Sequence, residues 1–221
     1  MRNKLCMMIL VLVLLLAACS HDSNQSSDKD SASTKNDDNK TKYHRIVSLM
    51  PSNTEILYRL GLGKNIVGVS TVDDYPKDVK KGKKQFDAMN LNKEKLLKAK
   101  PDLILAHESQ KHSSGKVLNS LKKDGVKVVY VKDAQSINET YDTFKSIGKL
   151  TGREKQAKDL VDETKNNVDK VINSVPNHHQ KQSIFMEVSS KPDIYTAGKG
   201  TIFNDMSVSY THLTLPTNRE V

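Results

Sequence analysis

The sequence has 221 residues and a formal charge of +9, with 35 Lys and Arg against 26 Asp and Glu. Its lysines are scattered and not clustered with aromatic residues, which argues against nucleic-acid binding. GxSxG, HExxH, paired CxxC and phosphate-loop motifs are absent from the sequence, so no enzyme is predicted. The length after a polar N-terminal stretch suits one ordinary domain, or one complete lobe and part of a second.

The first 18 residues predict a signal peptide. Arg2 and Lys4 precede the apolar run MMILVLVLLLA, and the following LAAC resembles a bacterial lipobox. We therefore expect cleavage before Cys19 and lipid on that residue, which would hold a monomer at the extracellular face of the cell membrane. A plain signal peptide and a short membrane anchor are the alternatives.

Residues 19–42 are predicted to be a disordered tether behind the lipidated cysteine. Ser, Asp, Asn and Lys dominate this stretch, and almost nothing in it is apolar. Such a composition cannot bury enough surface to fold.

Residues 43–150 predict an α/β lobe in which buried strands alternate with helices. The strand-like runs are short and nearly continuous in hydrophobicity, as in a parallel sheet, and lie at 45–50, 66–70, 102–107 and 126–132. Helical patterns follow them at 52–61, 92–100, 114–124 and 136–150. Ser52 and Glu55 have the spacing of a capping box at the start of the first helix.

A long helix and a second lobe are predicted next. Apolar residues recur at helical spacing from Arg153 to Ile172, within a segment 151–175 that ends before Pro176. Strand-like SIFMEVSS and IYTAG and the helix start GTIFNDM then occupy 176–206. The His178–His179 pair between them is interpreted as an exposed polar turn because no third metal ligand lies nearby.

Several motifs in this order resemble one family of proteins. RIVSLMPSNTEILYRLGLGKNIVGVSTVDDYP, AMNL, KEKLLKAKPDLIL and VKVVYV are similar to the iron-chelate and vitamin B12 class of ABC-transporter substrate-binding proteins. The resemblance implies two Rossmann-like lobes with parallel sheets, joined by one long interlobe helix, with the ligand in the cleft between them. It also implies partners, an ABC permease and its ATPase.

The candidate ligand-binding residues follow the ends of the predicted strands, where parallel sheets bind ligands. Pro51, Ser52 and Asn53 follow the first strand, although they are also compatible with a helix cap and nothing more. The others are Val72, Asp73, Phe86, His107 and Glu108, together with Tyr195 in the second lobe.

Three of these residues have a further interpretation. Phe86 aligns with a pocket aromatic of the B12-binding members, but an ordinary core phenylalanine fits equally. His107 is a cleft hydrogen-bonding group, an axial metal ligand or a satisfied polar residue. Val72 replaces a Tyr seen in some B12 binders, which puts corrinoid stacking there in doubt.

Glu94 is a candidate for docking to the permease, because the resemblance implies one such Glu in each lobe. From the residues alone it is an acid near a helix N-terminus, favoured by the helix dipole. The family usually continues for about another hundred residues, so the second lobe is expected to be incomplete. The last 15 residues, 207–221, are interpreted as a foreign tail, with a genuine short variant as the alternative.

The predicted function is a substrate-binding lipoprotein of an ABC importer that captures cobalamin, a ferric siderophore or haem. No cofactor beyond this ligand is expected. Two alternatives stay open, a receptor for a bare Mn or Zn ion and a surface lipoprotein without a transport role. An ion receptor would need three or four His, Asp or Glu ligands that converge from both lobes.

Overall fold

The structure, a computed structural model, describes residues 41–174 and 184–210, all within one structural unit, Asp37–Val221. The predicted signal peptide, Cys19, nearly all of the tether and residues 211–221 lie outside the described residues. Within the described ranges, no helix combines the length and the apolar character of a membrane span.

Five parallel strands form the central sheet in the order β3-β2-β1-β4-β5. The predicted parallel sheet is therefore confirmed, and the structure adds β3, a strand that the sequence did not predict. The strands are β1 (Ile46–Ser48), β2 (Ile66–Ser70), β3 (Lys84–Phe86), β4 (Leu103–His107) and β5 (Lys127–Val131).

The predicted helices occur with small shifts at their ends, and one short helix is new. The helices of the described residues are α1 (Pro51–Arg59), α2 (Lys93–Ala99), the new α3 (Gln110–Ser113), α4 (Gly115–Lys123), α5 (Ile137–Thr151), α6 (Glu154–Ser174) and α7 (Ile202–Asp205). A π-helical turn, Met206–Tyr210, follows α7.

The core fills both faces of the sheet because alternate residues of a strand point to opposite sides. On β1, Ile46 packs with α1, α5 and α6, whereas Val47 packs with α2 and α4. β4 is buried along nearly its whole length in the same alternating way. Burial on both faces explains the continuous hydrophobicity of these strands in the sequence.

The second lobe differs from the expected parallel arrangement in its described part. β6 (Glu187–Ser189) and β7 (Tyr195–Thr196) pair antiparallel. A connection as short as 190–194 permits only a hairpin, because parallel neighbours need a crossover of a dozen or more residues. The preceding helix α6 buries only Ala157, Leu160 and Val161, all in its first half.

Candidate functional site

The ends of the five parallel strands meet along one side of the sheet, here called the carboxyl edge. The pairing register aligns them, with Ser70 opposite Phe86 and His107 opposite Val131. Ligands of open parallel sheets bind outside this edge. The carboxyl edge comprises the residues that directly follow the strands, 49–54, 71–75, 87–90, 108–110 and 132–134.

The turn between β1 and α1 is not held by the predicted capping box. The N-cap residue is Met50, no side chain caps the helix, and Ser52 is exposed. Pro51 occupies the first helical position, where its missing N–H is not needed. The Thr54 hydroxyl lies 2.8 Å from Ser48 Oγ and 3.1 Å from the Met50 carbonyl oxygen, so two buried hydroxyls fix this turn.

Two buried polar side chains at the carboxyl edge have an atom without a hydrogen-bond partner among the described residues. They are Asn53, through Nδ2, and Asp73, through Oδ1. Asp73 Oδ2 accepts bonds from the N–H of Ser70 (2.9 Å) and from its hydroxyl (2.6 Å), so this carboxylate closes the end of β2. A buried polar atom without a partner costs about 1–3 kcal/mol, and a ligand could contact either atom only if the surrounding loop moved.

His107 uses both ring nitrogens within the protein. The backbone N–H of Ser109 donates to Nδ1 at 3.2 Å, and the Ser109 hydroxyl lies 2.7 Å from the same nitrogen. Nδ1 is therefore an acceptor, and Nε2 carries the proton that it donates to Asp133 Oδ1 at 2.5 Å. Axial metal coordination by His107 would first require one of these bonds to break.

Glu108 forms an ion pair with Lys111, whose Nζ lies 2.7 Å from Glu108 Oε1. The hydrogen bond from Lys111 lowers the pKa of the Glu108 carboxyl below its ordinary value. Glu108 thus keeps its negative charge at the carboxyl edge across the neutral pH range. Between 41 and 174 and between 184 and 210, no group of three or more His, Cys, Asp or Glu side chains is placed to hold a metal ion.

Gln110 connects three loops of the carboxyl edge and was not predicted from the sequence. Its side chain is 2% exposed. Oε1 accepts the N–H of His107 at 2.8 Å, and Nε2 donates to the carbonyl oxygens of Ala88 (3.1 Å) and Leu49 (3.4 Å). Gln110 therefore fixes the loops after β1, β3 and β4 relative to one another.

Three large apolar side chains are exposed at the carboxyl edge. Val72 is 69% exposed, Tyr75 59% and Met89 65%. Only Val72 was predicted as a site residue. Tyr75 lies five residues beyond the end of β2, and Met89 follows β3, the strand that the sequence did not predict. Exposed apolar groups beside polar ones are typical of a ligand-binding surface.

The structure places Phe86 in the core, where it cannot offer its ring to a ligand. Phe86 is 3% exposed and packs with Val47 and Ile104. Gly68 on the neighbouring strand makes room for the ring, since a Cβ at this position would overlap it. Phe86 is therefore a core residue, as the alternative interpretation held. The prediction that it contacts the ligand is not supported by its position.

Two predicted site residues are not among those that directly follow the parallel strands. Glu94 is exposed in the first turn of α2, whose N-cap Asn92 accepts the N–H of Lys95 at 2.9 Å. Tyr195 is exposed on β7 in the second lobe. A cavity of about 900 Å³ lies between β5 and α5 and shares Lys132, Asp133 and Ala134 with the carboxyl edge.

A comparison with protein families identifies the family of this chain. A family model described as periplasmic binding protein matches residues 46–207, which is more than half of the chain. This chain belongs to the periplasmic-binding-protein family. The resemblance indicated by the motifs is thus confirmed, and relatives in this family are named as binding proteins and not as enzymes, as the sequence predicted.

Individual members of the periplasmic-binding-protein family are similar to much of the chain. The ABC transporter substrate-binding lipoprotein YvrC of Bacillus subtilis is 46% identical over 179 residues, which cover 80% of this chain and 57% of YvrC. A crystal structure of a possible iron-binding (periplasmic solute-binding) protein from Staphylococcus epidermidis is 81% identical, with a TM-score of 0.74 over 79% of this chain and 67% of that protein. The periplasmic vitamin B12-binding protein BtuF of Vibrio cholerae is 26% identical, with a TM-score of 0.60 over 81% of this chain and 68% of that protein. The chain thus spans little more than half the length of YvrC.

Proposed function

We propose that this chain is the substrate-binding component of an ABC importer that captures a metal chelate and delivers it to a membrane permease. The chelate would be cobalamin, a ferric siderophore or haem. The names of similar proteins support this class, since YvrC is an ABC transporter lipoprotein and BtuF binds vitamin B12. Lipid on Cys19 would keep the protein at the extracellular face of the membrane.

The observation that carries the proposal is the exposed apolar group at the carboxyl edge. Val72, Tyr75 and Met89 offer branched, aromatic and thioether surfaces on neighbouring loops. These surfaces suit the flat or rounded apolar faces of a macrocycle or chelate. A ligand that covers these side chains removes their apolar surface from water, which favours binding by about 25 cal/mol for each Å² of apolar area buried.

The polar groups of the same edge suit the periphery of such a ligand. Asp133, whose side chain is 61% exposed beside His107, supplies carboxylate oxygens that can accept hydrogen bonds from the ligand. Most charged side chains that directly follow the strands are acidic, with Asp74, Asp87 and Glu108 among them. Carboxylates repel anions, so a neutral chelate fits this edge better than an anionic one.

Delivery would use a surface outside the ligand site. Glu94 projects from the first turn of α2, and the described residues include no ion pair that engages it. An exposed acid of this kind is available for a basic pocket on a permease. The bare-ion alternative has no supporting group of ligands among the described residues.

A ligand panel with matched variants tests the proposal. The chain has seven Tyr and no Trp, so tyrosine fluorescence reports binding directly. We expect cyanocobalamin, haemin or a ferric trihydroxamate to quench it saturably. Val72→Ser and Met89→Ser should each weaken binding by about 1–2 kcal/mol, roughly five- to thirtyfold.

Val171→Ser is the control, because Val171 is similarly exposed, at 60%, but lies on α6. Affinity should be unchanged in this variant. Loss of affinity equal to that of Val72→Ser would mean that ligand does not bind at the carboxyl edge. The proposed chelate class fails if none of the three probes binds.

A further inference from the structure

The sheet separates positive from negative charge along its strand direction. Opposite the carboxyl edge lies the amino edge, formed by residues 41–45, 61–65, 80–84, 100–102 and 122–127, at which the strands begin. Exposed lysines occur in every connection of this edge that leads into β2, β3, β4 or β5. The six used below, called the amino-edge lysines, are Lys64, Lys81, Lys84, Lys100, Lys123 and Lys127.

The positive charge of the amino edge is not neutralised within the described part of the chain. None of the amino-edge lysines forms an ion pair there. The two carboxylates of this edge have other partners: Asp102 accepts the backbone N–H groups of His44 and Arg45, and Asp124 pairs with Lys93 at 2.8 Å.

Some lysines on the outer helices form ion pairs. Lys155 pairs with Asp159 at 2.9 Å and Lys158 with Asp162 at 2.5 Å, both along α6. Lys165 and Lys170 of the same helix form no ion pair among the described residues, so pairing alone does not distinguish the amino edge. Its composition does, since the edge holds ten lysines against two carboxylates, Asp102 and Asp124.

Helix dipoles explain only part of the amino edge. Lys100 and Lys123 lie at the C-terminal ends of α2 and α4, where a cation is favoured. Lys64 and Lys81 lie in connections, and Lys127 opens β5. No helix end accounts for these positions, so an external anionic partner is the simpler reason for their charge.

The chain also enters the domain at the amino edge. The N–H of Lys42 donates to the carbonyl oxygen of Thr151 at 3.3 Å, and Asn65 Nδ2 donates to the carbonyl oxygen of Tyr43 at 3.1 Å. β1 follows immediately at Ile46. A tether on the N-terminal side of residue 41 is therefore joined to the domain at this edge.

We infer that the amino-edge lysines rest on anionic phospholipid headgroups while the protein is tethered. Basic residues held within a Debye length of such a surface, about 10 Å at 0.1 M salt, are attracted to it. In this orientation the acidic carboxyl edge faces away from the membrane, where a ligand arrives, and the domain must turn on its tether before Glu94 can dock on the permease. The inference rests on the proposed membrane tether, and it concerns a different surface from the ligand site.

Lysine acetylation of the full chain anchored in vesicles tests the orientation. Vesicles are made of phosphatidylcholine or of an equimolar mixture with phosphatidylglycerol, and a membrane-impermeant acetylating ester is followed residue by residue by mass spectrometry. On the anionic vesicles we expect the amino-edge lysines to react about fivefold more slowly. Raising the salt to about 0.5 M should abolish the difference. Lys155 and Lys158 serve as internal controls and should react equally on both vesicles.

A variant series makes the test specific. Combining Lys81→Ser, Lys84→Ser and Lys127→Ser should remove the protection of the amino-edge lysines that remain. The matched variant with Lys155→Ser and Lys158→Ser should retain it. Equal rates on the two vesicle types, or equal protection of the α6 lysines, overturns the orientation. The tether is tested independently by flotation. If the chain does not float with phosphatidylcholine vesicles, the proposed tether is contradicted, whereas the orientation is still tested by lysine protection on the anionic vesicles.

Discussion

Replacing Gln110 by Met should destabilise the protein although it leaves the length of the side chain almost unchanged. The substitution removes one bond that Gln110 accepts, from the His107 N–H at 2.8 Å, and two that it donates, to Ala88 at 3.1 Å and Leu49 at 3.4 Å. The site is 2% exposed, so water does not readily replace these bonds. With about 1–1.5 kcal/mol for each of the two shorter bonds and little for the longest, the free energy of unfolding should fall by about 2–3 kcal/mol.

Urea unfolding followed by far-ultraviolet circular dichroism measures this loss. With a slope of about 2 kcal/mol per molar urea, the midpoint should fall by about 1–1.5 M. Gln85→Met is the matched control, because Gln85 is exposed on β3 and should change stability by less than about 0.5 kcal/mol. A similarly small change in Gln110→Met would refute the assigned role of Gln110 in holding the three loops together.

Four further outcomes are expected. Phe86→Ala should lower the free energy of unfolding by about 3–5 kcal/mol in the same assay, and a loss below about 1 kcal/mol would contradict its place in the core. Lys111→Met should raise the pKa of Glu108 towards its ordinary value in an NMR titration, because the hydrogen bond from Lys111 is the largest cause of its depression. An unchanged Glu108 pKa in this variant would contradict the pairing. Because the folded-state pKa is depressed, the pair stabilises the protein at pH values above the unfolded-state pKa, and this stabilisation is lost as the pH falls through the folded-state pKa. Glu94→Lys should weaken permease binding and leave chelate affinity unchanged, whereas equal losses would place Glu94 in the ligand site. Cys19→Ala should release the chain from the membrane fraction, and full retention there would contradict lipidation.

The sequence was most informative where burial leaves a continuous apolar run. β4 is buried from Leu103 to Ala106 and was predicted within one residue. β3 was missed because it is short and lies at the edge of the sheet, with Lys84 and Gln85 exposed. Its single buried residue, Phe86, gives no periodic signal. An edge strand of three residues is recognised only from its pairing with β2.

The carboxyl edge was located from the sequence, but the contacts within it were not. Strand ends located the carboxyl edge, since parallel strands end on the same side of a sheet. The sequence spacing of Ser52 and Glu55 matched a capping box, but the Thr54 and Ser48 hydroxyls fix the turn instead. The role of Gln110 depends on two loops distant in sequence, and no local pattern reports such contacts.

Hydrogen exchange with and without a saturating chelate tests most directly whether ligand binds at the carboxyl edge. We expect slower exchange in residues 49–54, 71–75, 87–90 and 108–110, with no change in 61–65 or 122–127 at the opposite edge. Protection confined to the amino edge, or to the cavity between β5 and α5, would contradict a ligand site at the ends of the strands.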